Sequence, residues 1–472
     1  MLGLSLGGGG LRLPTTGLTF RALRSKGLID DIGILITRDQ VDESIADIIF
    51  DGETKRSDAE IVRLALGSYL LNQGTLIGGA VPGTPIRLVA VYDPDTPAAT
   101  LLKAYNYVMQ RQMTVVESNA NGTPVYSFAN QVNKSVSNLD IRTLSAQNQT
   151  EHVKIASTGT ECGAATISKL ICKTTAQVAA AGPILIIGSD VSGTGNLKLN
   201  GSVIEYCDVY GSYAIDPDIA LSTGLHGVEI GWNNRPTVRH CRVTGATYGI
   251  VLKGGSYDLE GVGGAIGNII TGMGNAALAP SDGITVKGLL NVPICHNFIY
   301  QQRNKAYGNG AIAARQEAGA YPTGELWCQN NIVLLDNSGQ FYNLLNGATV
   351  TKARANLYYS ASGTAFGGVS WATWLTNGRV ADADFERGSM FIRNPSLGET
   401  WEIYNDEGVK TATVATNPLL DHFETLWGYK LKSTSAFYRA GFVSPYVNYS
   451  LSDFWGNTRG SNAPQIGPWQ GS

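Results

Sequence analysis

Three cations recur at one position of a repeated strand motif. Lys253 ends YGIVLK, Lys287 ends DGITVK, and Arg315 ends the corresponding NGAIAAR that starts at Asn309. If Ile250, Ile284 and Ile312 face a core, strand alternation sends the residues three places on to the opposite face. Lys253, Lys287 and Arg315 would then form a basic column with steps of about 5 Å. Such a column suits an acidic polymer. The competing reading is solvated charge at strand ends.

Carboxylates offer a second chemistry. Glycoside hydrolysis needs two of them, about 5–5.5 Å apart for retention or about 6.5–9.5 Å for inversion. The candidates are Asp216 with Asp218 in AIDPDIA, Asp258 with Glu260 in YDLEG, and the single residues Glu229 and Asp282. Both close pairs sit in loop-like sequence, where Asp and Gly commonly serve turns. His240–Cys241 and Cys295–His296 do not suggest zinc, because adjacent strand residues point to opposite faces. No GxSxG supports a Ser-His-Asp triad. No cofactor is expected. Calcium on loop carbonyls and carboxylates stays open, although no EF-hand loop or GGxGxDx array is present.

The elements that must position these residues repeat. EYCDVYG, RHCRVTG, IGNIITG, CHNFIYQ, CQNNIVL and RANLYYS align, with Cys207, Cys241, Asn268, Asn297, Asn330 and Asn356 as their third residues. A second register lies between them, in HGVEI at His226 and in the three motifs that carry the cations. Repeats of this length, with short strands and no helix, indicate a parallel β-helix. Gly or Asn would supply left-handed corners. The Asn column would hydrogen-bond along the stack, and Cys would act as a small apolar filler.

Composition agrees with a folded, uncharged-polar chain. Only 15% of the 472 residues are charged and 57 are Gly, which excludes a coiled coil or a highly charged disordered chain. A net charge of −3 gives no reason to expect nucleic-acid binding. No apolar stretch approaches the ~18 residues of a membrane span, and MLGLSLGGGG does not read as a signal peptide.

The domain reading is a Gly-rich arm over 1–25, a mixed α/β region over 26–134, the β-helix over 135–360, and C-terminal coils with a cap over 361–472. Within the second region, Ser57 and Glu60 mark a short helix start. Ile86 to Tyr92 and Met113 to Glu117 read as strands around a helix from Pro97 to Gln112. Trp371, Trp374, Trp401, Trp427, Trp455 and Trp469 crowd the last quarter. They could stack on sugars, but plugging the last coil is the plainer role.

The tail carries a resemblance. NPLL at Asn417, YKLKSTSAFYRAG at Tyr429, SDFWGNTRG at Ser452 and APQIGPW at Ala463 resemble the C-terminal signature of right-handed parallel β-helix proteins of the pectate-lyase-like superfamily. Asp453, Gly456 and Arg459 match its third element. Gln465, Ile466 and Gly467 match its fourth with Gln in place of Asp, and Ser433, Ala436 and Gly441 match its second loosely. The resemblance implies an all-β, right-handed parallel β-helix. It implies that the signature closes the helix rather than doing chemistry, and it transfers no catalytic residue.

That superfamily includes polysaccharide lyases, glycosidases and virus tailspikes. The expectation is a virion-associated protein, a phage tailspike or tail fibre. It would be made in the host cytoplasm, dock to other virion proteins through its N-terminal region and form a homotrimer. Its partner would be a host surface polysaccharide, with neither nucleic acid nor membrane involved. The alternatives are a stand-alone lyase or glycoside hydrolase, and a non-enzymatic decoration protein. One prediction concerns redox state. In-register parallel strands hold equivalent Cβ atoms about 4.8 Å apart, beyond the ~3.5–4.5 Å of a disulfide. Non-reducing peptide mass spectrometry should therefore find no Cys207–Cys241 link.

Overall fold

The computed structural model describes segments 34–37, 85–86 and 88–92. From residue 113 it describes the strands and tight corners, then segments 366–379, 382–395, 400–423, 431–438, 440–443 and 464–468. Residues 1–113 form a unit of their own. Its described part has Ile34–Thr37 parallel to Leu88–Tyr92, and the short strand Pro85–Ile86. The Gly-rich arm and the helices expected at Ser57 and Pro97 lie outside the described residues.

From Met113 onward the chain winds through three parallel sheets. Met113–Ser118, Tyr126–Ala129 and Ser135–Ser137 form the first full turn, one strand in each sheet, and each later turn through Thr349–Arg354 adds one strand to each. Met113–Ser118 pairs in parallel with Leu139–Thr143. The first coil therefore begins at Met113 and not at 135, and that strand belongs to the solenoid. Parallel crossovers are right-handed, and the fold is a right-handed parallel β-helix. Ile, Val and Leu at alternate strand positions fill one continuous core.

The corner from third to first sheet is nearly constant, with only one or two residues between strands. Its first residue is left-handed in every coil: Asn138, Lys169, Tyr206, His240, Gly267, His296, Asn330 and Ala355, at φ between 52° and 66°. Gly and Asn thus hold only three of eight places. The corner's own hydrogen bonds override the ordinary cost of a left-handed side chain. Lys169, Tyr206, His240, Gly267, His296, Asn330 and Ala355 each donate a backbone N–H to the next coil.

The following residue points inward and builds the ladder. Asn268 Nδ2 donates to Asn297 Oδ1 (3.0 Å), Asn297 to Asn331 (3.0 Å) and Asn331 to Asn356 (3.1 Å). The member after Asn297 is therefore Asn331, and Asn330 occupies the left-handed corner. Each amide also donates to a carbonyl one coil back, at Val238, Ala265, Ile294 or Cys328. Cys241 and Cys207 direct Sγ at the equivalent carbonyls of Ile204 (3.6 Å) and Ile167 (3.9 Å). Their thiols stand in for the amide as weak donors, which is more than apolar filling. Cys172, Cys207, Cys241, Cys295 and Cys328 are free thiols, and Cys162 lies outside the described residues.

The ladder ends on a buried polar plug. Asn356 N–H donates to Ser389 Oγ (2.8 Å), and its amide donates to Glu386 (3.2 Å). Glu386 also accepts from Tyr358, Ser389 and Trp374. Helix α1 (Trp371–Arg379) brings Trp374 flat against Tyr342 and Trp371 against Tyr358 and Phe391. These two tryptophans plug the last coil. Trp401 instead stacks on Tyr359 in an antiparallel extension of the first sheet. Trp427, Trp455 and Trp469 lie outside the described residues.

The described tail does not close the end. Gln465, Ile466 and Gly467 lie along the flank of the solenoid. Gln465 O meets His296 Nδ1 (2.9 Å), and Gly467 N–H donates to Asn330 O (2.7 Å). Asn330 also exchanges hydrogen bonds with Phe442 N–H and C=O (both 2.7 Å). Asp453, Gly456 and Arg459 lie outside the described residues.

A ladder this well paired makes a specific prediction. Asn297→Ala removes two donated and two accepted hydrogen bonds at a fully buried site. Each buried group left unpaired costs about 1–3 kcal/mol. The variant should lose about 3 kcal/mol or more, read as a lowered melting temperature against the parent.

Candidate functional site

The site lies on the outer face of the second sheet. Both connections that flank this sheet vary in length from coil to coil, unlike the constant corner opposite. Variable loops on a rigid scaffold are the usual location of binding residues.

Glycine shapes the strands here. A Cβ at Gly227, Gly249 or Gly283 would stand 2.2, 2.5 and 2.5 Å from Val243, Ile270 and Ile299 of the first sheet. Each glycine therefore faces inward, as does the next residue, Val228, Ile250 or Ile284. Two successive inward residues bend the strand. The residue before the glycine and the residue after the pair then lie on the same outer side. In this way His226 and Glu229 meet, and so do Asp282 and Thr285.

Register joins the strands into columns. His226 pairs with Tyr248 and Tyr248 with Asp282. Lys253 pairs with Lys287 and Lys287 with Arg315. The basic column therefore forms on consecutive coils as the sequence indicated. The outcome differs in charge balance. Lys253 is 8% exposed, and its Nζ donates to Glu229 Oε1. Arg315 lies 3.6 Å from Asp282 Oδ2. Three cations against two carboxylates leave a single net positive charge when both acids are ionised. The column is a compensated cluster, and Lys253 is not an exposed charge.

The two carboxyls differ. Burial pushes Glu229 up, but hydrogen bonds and charge from His226 and Lys253 outweigh it and hold it below the usual carboxylate range. Burial raises Asp282 to about 6, with Arg315, Thr285, the Gly310 backbone and Lys287 pulling only partly back. Asp282 Oδ2 accepts from Thr285 Oγ1 (2.9 Å), while Oδ1 is buried without a hydrogen-bond partner among the described residues. Tyr248, between His226 and Asp282 in the column, packs edge-on to His226 at 5.0 Å. Burial, followed by the charge of Asp282, raises its hydroxyl.

Of the other sequence candidates, Asp216, Asp218, Asp258 and Glu260 lie outside the described residues. His226 and Tyr248 were missed. Their signal was the shared H-G, Y-G and D-G start at 226, 248 and 282, in which the residue before glycine is the outward one. Among the described residues no group of three or more His, Cys, Asp or Glu could hold a metal ion.

No protein-family model matches the chain, and no curated protein does. Among solved structures it is similar to the crystal structure of pectate lyase Pel9A, at 12% identity over 76% of this chain and 86% of that one, with a TM-score of 0.27. The three stacked parallel sheets by themselves define this chain as a parallel β-helix protein. No residue role or substrate is carried over from the pectate lyase.

The pairing of Lys253 predicts the effect of its loss. Lys253→Ala leaves the carboxylate of Glu229, which is 1% exposed, with one partner fewer. Breaking a buried pair costs about 3–5 kcal/mol, whereas replacing both partners by apolar groups is often neutral. Lys253→Ala should melt well below the parent, and Lys253→Met with Glu229→Leu should recover most of the loss.

Proposed function

We propose that this chain is a virion-associated β-helix protein, of the tailspike or tail-fibre kind, that binds and cleaves a host surface polysaccharide along the outer face of its second sheet. One observation carries the reading. Two buried carboxyls of opposite displacement lie on one outward face among three cations. Carboxyls whose environments push them apart divide acid and base duty. Asp282, raised to about 6, keeps a proton into mildly acidic solution. It suits protonation of a leaving glycosidic oxygen.

Two rungs separate the strands that carry Glu229 and Asp282, about 9.6 Å of rise at the usual strand spacing. Glu229 is also three residues out of register with Asp282, opposite Thr285, so the two lie far beyond the ~5 Å of a retaining pair. The residual positive charge of the cluster favours an acidic glycan. In this reading the N-terminal region docks to other virion proteins, and three copies assemble side by side.

Hydrolysis fits better than elimination. A lyase needs a cation free to act beside an acidified C5 proton, and here Lys253 and Arg315 each face a carboxylate. The test is incubation with a panel of bacterial surface polysaccharides. New reducing ends are expected, and unsaturated ends would indicate a lyase instead. Asp282→Asn should abolish cleavage. In the parent, kcat/KM should fall as the pH rises through about 6, because the acid form of Asp282 is lost. A rate that climbs through the same interval would remove Asp282 as the acid.

A further inference from the structure

Glu229 has no lone pair directed at a substrate. Its Oε2 is taken by His226 Nδ1 and its Oε1 by Lys253 Nζ, whereas Asp282, equally buried, keeps Oδ1 without a partner among the described residues. A carboxylate only accepts hydrogen bonds, and so does the one imidazole nitrogen that lacks a proton. With Glu229 ionised beside Lys253 Nζ, the proton between carboxylate and ring belongs to Nδ1 of His226. When the ring is neutral its Nε2 is bare, on the side away from Glu229, and no described residue donates to it. His226 keeps 17% of its side chain accessible. It also shares a column with Asp282, two coils along, with Tyr248 between them.

We propose that His226 is the base of the cleavage reaction, with Glu229 and Lys253 as the positioning residues that fix its tautomer. This rests on the hydrolytic reading above. The column separation, again about 9.6 Å by strand spacing, lies close to the upper end of the inverting range, and a sugar bridging base and acid would lie over Tyr248, the rung between them.

The step balances. Water gives a proton to His226 Nε2 while its oxygen bonds to the anomeric carbon. The bond from that carbon to the glycosidic oxygen breaks, and the departing oxygen takes the proton of Asp282. The imidazolium is stabilised by Glu229, and solvent returns a proton from His226 to Asp282. Lys253 keeps the carboxylate ionised and turned toward Nδ1. Removing Lys253 should therefore weaken catalysis without touching the sugar.

Two measurements test this. The first is ring-nitrogen NMR on the parent labelled at its five histidines, with His226 assigned by comparison with His226→Gln. At pH 8 the expected form carries its proton on Nδ1, and Glu229→Gln should lose that preference. A proton on Nε2 in the parent would overturn the proposal without any activity assay.

The second measurement is kinetic. His226→Ala should lower kcat by about 10²–10⁴-fold with KM changed only a few-fold, and free imidazole should restore part of the rate. His226→Ala that cleaves at the parent's kcat overturns the base role and leaves the hydrolytic reading intact. A parent that cleaves nothing in the panel overturns both.

Discussion

The fold depends on one hydrogen-bonded corner. Between the third and first sheets the chain turns in one or two residues, through a left-handed residue and then an inward one. The inward residue joins three coils at once. Its amide reaches a carbonyl behind and an amide oxygen ahead, and its own oxygen accepts a backbone N–H. These groups are buried, so each unpaired member would cost more than a paired one contributes. That asymmetry fixes the register of the coils that carry Asn268, Asn297, Asn331 and Asn356, and register in turn places side chains into columns.

The site is a consequence of where the chain is not so constrained. The corner admits little variation, so differences in length collect in the connections on either side of the second sheet. The inward glycines at 227, 249 and 283 then bend its strands so that residues three apart share the outer face. Two carboxyls, an imidazole, a phenol and three cations meet there from four coils. Burial raises both carboxyls, and the hydrogen bonds and charge that His226 and Lys253 bring to Glu229 separate it from Asp282.

Much of this was legible in the sequence, and the exceptions have physical causes. The Asn and Cys repeats announced the coils and the columns of Ile250, Ile284 and Ile312. The register slipped by one at Asn330 because Cys328 was matched with Cys295. In the structure Cys295 pairs with Gln329, and Cys328 pairs with Ile294 on the inward side. Asn suits both the left-handed corner and the ladder, so two in succession, Asn330 and Asn331, conceal the slip. The charge column was visible, but its compensation was not. Glu229 and Lys253 are 24 positions apart, and only the bend at Gly227 turns Glu229 toward the same face. Left-handed Tyr206 and His240 were also invisible, since nothing local in those residue types favours that conformation.

The tail that lies along the flank sets an order of events during synthesis. His296 is joined to Gln465 across 169 positions, and Asn330 to Phe442 across 112. Most coil contacts instead link residues about 25 to 37 positions apart. Coils can therefore wind from the N-terminal side as the chain emerges, each on the template of the last. The corner at His296 and Asn330 must wait, its polar groups facing water, until the end of the chain arrives. A chain interrupted before residue 464 would carry a nearly complete solenoid with one unsealed seam, a defect that a quality-control protease could read.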